Sequence, residues 1–129
     1  MPEQNVETFR RLDDALNRGD IEAFLSGHDP ETVFIPWRAA VQGVYRGHEG
    51  IRKFFAENAE NFDLFQVSHE EFRDLGDKVL AFGTLRVRGK QSGVEVTTRT
   101  AIVATFRDGK VARVEAYADR GEALSMKKG

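Results

Sequence analysis

Three histidines, His28, His48 and His69, are the side chains of this 129-residue chain whose ordinary titration falls near neutral pH, and no cysteine accompanies them. They show neither an i,i+4 nor a His-x-His spacing, so no metal site is expected. The missing cysteines exclude thiolate nucleophiles and disulfides. His48 stands in YRGHEGI, where a helix begins. There it could carry a proton or meet an anion at the outward-pointing backbone N–H groups, or it could simply cap the turn. Helix-entry contacts are commonly structural, which favours the cap. His28 precedes Asp29-Pro30 and reads as loop punctuation, and His69, followed by two glutamates, reads as solvated. Tyr45 and Trp37 flank the segment before that helix. Trp37 could line a pocket or pack in the core, and Tyr45 could present its phenol to a ligand's polar end. Asp119, just after Tyr117, could reach a pocket mouth if a bulge turns the strand end. Tyr45, His48 and Asp119 are therefore the weak catalytic candidates.

The segment TRTAIVATFRDGKVARVEAYAD, residues 98–119, holds the remaining charged pair, Arg113 and Glu115. Its alternation predicts the last hairpin of a sheet, and the turn at RDGK decides which residues face inward. A two-residue Asp-Gly loop pairs Arg107 with Lys110 and turns Arg113 and Glu115 inward. A three-residue loop pairs Phe106 with Lys110 and sets Ala104 opposite Ala112, Ile102 opposite Val114 and Thr100 opposite Ala116. Burying an unpaired Arg or Glu costs several kcal/mol, on the order of the whole stability of a small domain. The three-residue loop is expected on that ground. Its inward face carries no acid or base.

The elements that hold these residues follow from periodicity. Val6, Phe9, Leu12 and Leu16 recur at helical steps, and Gly19 and Asp20 suit the end of that helix and the start of a short second one, 21–25. TVFIPW reads as a strand with Val33, Ile35 and Trp37 on one face. A third helix is expected near 49–60, with Ile51, Phe54 and Phe55 on its buried stripe. Strands near 64–73, 77–89, 93–106 and 110–118 complete an α+β pattern in one domain, 1–129. A net charge of −2 without a basic block argues against nucleic-acid binding. No apolar run reaches the ~20 residues of a membrane span, and no signal-peptide pattern opens the chain. A cytoplasmic location is the expectation.

NVETFRRLDDALNRGDIEAFL, DPETVFI, YRGHEGIRKFF, GDKVLAFGTLRVRGKQSGVEV and FRDGKVARVEAYAD occur in that order along the chain. In this order they resemble the SnoaL-like branch of the nuclear transport factor 2-like (NTF2-like) superfamily over nearly the whole length. The resemblance implies an α+β cone, a curved antiparallel β-sheet wrapped around three N-terminal helices, often dimeric through the sheet's outer face. It also implies where catalysis would sit. The base of isomerase-like members matches Ile35 and their acidic oxyanion donor Ile102. Cyclase-like members place an acid or histidine at Ile102 and an aspartate at Ala116. The carboxylate–arginine–carboxylate set of hydrolase-like members falls near Ile102, Thr100 and Ala116. General acid–base catalysis needs a titratable group in reach of the moving proton, and these side chains offer none.

The expected function is thus the binding of a small, mainly apolar metabolite, with no cofactor, in a pocket lined by some of Ile35, Trp37, Phe54, Phe55, Thr100, Ile102, Ala104, Val114 and Ala116. One alternative is an isomerase, dehydratase or cyclase using Tyr45, His48 or Asp119. Another is a dimeric interaction module without ligand. Arg99, Arg113, Glu115 and Tyr117 suit a homodimer through the outer sheet face.

Overall fold

The apolar stripe of Val6, Phe9, Leu12 and Leu16 winds a 17-residue helix, α1 (Pro2–Arg18), and the Asp20 side chain accepts the Ala23 N–H to cap α2 (Ile21–Ser26). Strands β1 (His28–Ile35) and β2 (Tyr45–Arg46) lead into α3 (Gly47–Asn61). Four long strands follow: β3 (Phe62–Asp74), β4 (Lys78–Gly89), β5 (Glu95–Arg107) and β6 (Lys110–Tyr117), and a short α4 (Arg120–Ser125) comes last. The computed structural model describes residues 2–36, 43–117 and 120–125. Trp37 and Asp119, both singled out above, lie outside the described residues.

The six strands form one open sheet in the order β2-β1-β6-β5-β4-β3. All neighbours are antiparallel except β1 and β6, which run parallel. Two places bend it. At β3 an extra residue lies between the pairs His69–Gly83 and Glu71–Phe82, and a Cβ on Gly83 would collide with the Ser68 carbonyl oxygen. Only glycine admits that approach.

The second bend corrects the hairpin expected from sequence. The turn is the two-residue Asp-Gly loop, with Arg107 paired to Lys110 and φ of 53° at Asp108 and 78° at Gly109. Phe106 then meets Val111, and a bulge at Ala112 intervenes before Thr105 meets Arg113. That extra residue restores the parity the loop would have reversed. Ala104 therefore faces Val114 and Ile102 faces Ala116, while Arg113 and Glu115 stay on the other side. Arg113 and Glu115 stay outward as expected, but Val111 rather than Ala112 joins the inner core, and the loop and the individual pairs differ.

The sheet's inner face packs on α1 through Phe9, Leu12, Val79, Ala81, Ala104, Phe106 and Val111. Its outer face is not bare at the centre. Leu80, Phe82, Ala101 and Val103 are buried there with Ala123 of α4, so β4 is buried on both faces. This helix was absent from the sequence reading because six residues are too few to show a helical period.

Candidate functional site

Between the helices and the inner sheet face lies a cavity of about 440 Å³, a size typical of small-molecule sites. The helices contribute Leu16, Phe24, Ile51 and Phe54, and the sheet contributes Phe65, Leu85, Ile102, Val114 and Ala116. Ile102 and Ala116 are direct cross-strand partners on this wall. The two positions where the resemblance implies acids are thus side by side, apolar, and turned to the space. A smaller hollow of about 350 Å³ lies between α1, α2 and the β5–β6 turn, rimmed by Arg11, Asp14, Arg18, Asp108 and Lys110. Its charged rim makes it a surface groove rather than an apolar receptacle.

Of the nine residues expected to line a pocket, Phe54, Thr100, Ile102, Val114 and Ala116 do so. Three do not, and each has a local reason. Ile35 has the wrong parity: Thr32 and Phe34 point inward on β1, because the Phe34 ring stacks on Tyr45 at 5.7 Å and meets Phe54 edge-on at 5.2 Å. Phe55 is absent from the lining because it packs with Leu25 and Ile51 and edge-on to Phe24. Ala104 lies deeper along β5, in the core under α1.

The polar groups on the cavity wall are few and placed by the backbone. His28 opens β1 instead of ending a loop, and it is 4% exposed. Its Nδ1 donates to the Phe24 carbonyl at 2.8 Å, and the Phe24 ring lies 4.5 Å from the imidazole. A carbonyl can only accept, so the neutral ring carries its proton on Nδ1, and Nε2 is a lone-pair acceptor. Burial pushes the His28 pKa down to about 4, with the nearby His48 adding to the effect and the Phe24 bond opposing it. Thr32, 2% exposed, has a hydroxyl with no hydrogen-bond partner. The Tyr45 hydroxyl donates to Glu57 Oε1 at 2.6 Å, and Asn58 completes the α3 side.

His48 stays outside the lining and donates from Nε2 to the His28 carbonyl at 3.1 Å, tying the start of α3 to the start of β1. His69 is a correction. It is not solvated but has a side chain 1% exposed, with Nδ1 2.7 Å from Asp13 Oδ2 on α1 and Phe9 and Phe72 edge-on. The bulge at Glu70 lets His69 face α1 while its glutamate neighbours look outward. Burial raises the Asp13 pKa against the opposing bond and charge of His69. Among the described residues no group of three or more His, Cys, Asp or Glu side chains could hold a metal ion. No helix there is long and apolar enough to cross a membrane.

Of the residues expected on the outer face, Tyr117 and Arg99 also line the cavity. Arg113 is 3.2 Å from Glu115, and the Tyr117 hydroxyl donates to the same carboxylate at 3.0 Å. Arg99 is exposed, and its position on β5 touches the cavity rim.

Comparison with known proteins agrees with this architecture. The chain is 29% identical over 119 residues to the uncharacterised protein Rv0034 of Mycobacterium tuberculosis, covering 89% of each. It is similar in structure to TerC, crystallised with polyporic acid, with a TM-score of 0.80, 27% identity, and 98% and 99% of the two chains covered. An NTF2-like protein of unknown function from Burkholderia pseudomallei shares the fold with a TM-score of 0.82 at 21% identity, covering 98% of each chain. The family profile of the SnoaL-like domain matches residues 9–114, and the chain belongs to that family.

Proposed function

We propose that the protein binds a small, mainly apolar molecule inside the cone and that binding, rather than acid–base turnover, is its activity. The observation that carries this reading is the open cavity of about 440 Å³ whose wall has Ile102 and Ala116 where catalysis would need acids. A filled interior would have left no room for a ligand. Crystallisation of the similar TerC with polyporic acid supports a small-molecule occupant. Direct titration with 2-naphthol, read by calorimetry, tests it: one-site binding is expected, and no uptake by the folded protein would refute the reading.

A second reading, an isomerase, dehydratase or cyclase, draws on one observation: His28 is a titratable group on the cavity wall with a strongly shifted pKa. A base near 4 holds a proton poorly at neutral pH, which weighs toward binding. Deuterium exchange from solvent into 2-tetralone, accelerated by the protein and lost in His28→Gln, would favour catalysis instead.

The reading also includes a homodimer through the outer face of β6, with Arg113, Glu115 and Tyr117 at its centre and Arg99 beside them. α4 covers the middle of the outer face, so the contact would be confined to this polar strip. Sedimentation at high concentration distinguishes dimer from monomer.

A further inference from the structure

We infer that the end of the cavity formed by His28 and Thr32 recognises a hydroxyl group, so that the ligand is an apolar body bearing a phenol or alcohol rather than a hydrocarbon or a carboxylate. This inference rests on the cavity being a binding site and specifies what the site selects.

Between the pairs His28–Val111 and Val33–Arg113, β1 advances five residues while β6 advances two. The surplus is taken up around Asp29-Pro30-Glu31, where the Asp29 carboxylate accepts the Glu31 N–H at 2.8 Å. Five residues thus cover roughly 7 Å of sheet instead of the roughly 17 Å of a straight strand. The fold draws His28 and Thr32 together on one wall, and both line the cavity.

Each side chain has one unused capacity. The Phe24 carbonyl fixes the imidazole proton on Nδ1, which leaves Nε2 as an acceptor that neither hydrogen bond of His28 uses. The Thr32 hydroxyl is likewise unpartnered and can donate as well as accept. Buried polar groups without partners are rare in folded proteins, because each costs about 1–3 kcal/mol, and Thr32 Oγ1 is such a group. A ligand hydroxyl answers both, donating to His28 Nε2 and accepting from Thr32 Oγ1. A carboxylate has no proton for Nε2, and the neutral ring supplies no countercharge; the one guanidinium of the lining, Arg99, is exposed on β5. An ammonium would meet no carboxylate among the lining residues. A hydrocarbon leaves both groups unsatisfied.

The test compares 2-naphthol with naphthalene, the same apolar body with and without a hydroxyl, by calorimetry on the wild type, Thr32→Val and His28→Phe. Wild type is expected to prefer 2-naphthol by about tenfold, equivalent to about 1.4 kcal/mol. The preference, taken as the ratio of the two affinities within each protein, should fall to about threefold or less in each variant. The ¹⁵N resonance of His28 Nε2 in the wild type gives a readout independent of variant folding. It should move on addition of 2-naphthol and stay on addition of naphthalene. Equal affinity for the two probes, or a preference that survives both substitutions, overturns the hydroxyl site while leaving the cavity reading intact. Binding of neither probe overturns both.

Discussion

His28 shows how a residue's neighbours in sequence can hide its role. Followed by Asp-Pro, it has the composition of a turn, yet the Phe24 carbonyl and ring seat it inside the cone at the first position of a strand. Its lowered pKa has a consequence for stability. The unfolded chain binds a proton near 6.5 and the folded one only near 4, so His28 favours folding fully above pH 6.5 and loses that contribution as pH falls through 4. The difference is on the order of 3 kcal/mol. Asp13 opposes it, since a raised carboxyl pKa strengthens folding as the group protonates. Denaturant unfolding between pH 4 and 6.5 should show a shallower pH slope for His28→Gln than for the wild type, and equal slopes would contradict the buried neutral ring. A second residue-scale prediction concerns Asn17, whose side-chain amide both accepts the Val67 N–H and donates to the Val67 carbonyl, each at 2.8 Å. This pair pins α1 to β3 beside the cavity. Asn17→Ala should lower unfolding free energy by about 1–3 kcal/mol, measured in urea. Nothing in the sequence marks Asn17, which looks like an ordinary residue near a helix end.

At the scale of elements, periodicity was readable wherever one face is buried by local pattern. The stripe of α1 and the four long strands are visible because their apolar residues repeat at the period of the element. The β5–β6 hairpin was half legible. Inward burial of Arg113 and Glu115 was correctly excluded on cost, but two backbone solutions satisfy that constraint, and the chain uses a tight loop followed by a bulge. Asp108 in the left-handed region and the extra Ala112 are backbone facts that side-chain alternation does not encode. The parity of β1 was misread for another reason. Phe34 is chosen as the inward residue by its contacts with Tyr45 and Phe54, which come from distant parts of the chain. Two substitutions test these elements. Gly83→Ala forces the Ser68 carbonyl away and should cost more than 2 kcal/mol or so, whereas overpacking elsewhere costs about 1–3. Ala123→Asp puts a carboxylate where α4 meets Leu80 and Val103. It should undock the helix, visible as faster amide exchange in β4 and β5; unchanged exchange would mean that α4 does not seal the outer face.

The whole molecule is a cone whose lower part is a packed core and whose upper part is held open. Phe9, Leu12, Val79 and Phe106 fill the region under α1, while Phe24, Phe34, Phe54 and Phe65 line the space above it. Phenylalanine was recognisable in the sequence as the material of the interior, but whether such rings fill a cone or only line it depends on their relative orientations. Edge-to-face contacts at 5.2 Å between Phe24 and Phe55 and at 6.0 Å between Phe54 and Phe65 brace the rings against the walls. The central claim is that this space receives a ligand against the apolar Ile102–Ala116 wall. The most direct measurement is calorimetric titration of 2-naphthol into the wild type and into Ala116→Phe, whose ring would occupy the space. One-site binding by the wild type, lost in Ala116→Phe with its melting temperature retained, is the predicted result. Binding that is unaffected by the added ring, or absent from the wild type, would contradict the account.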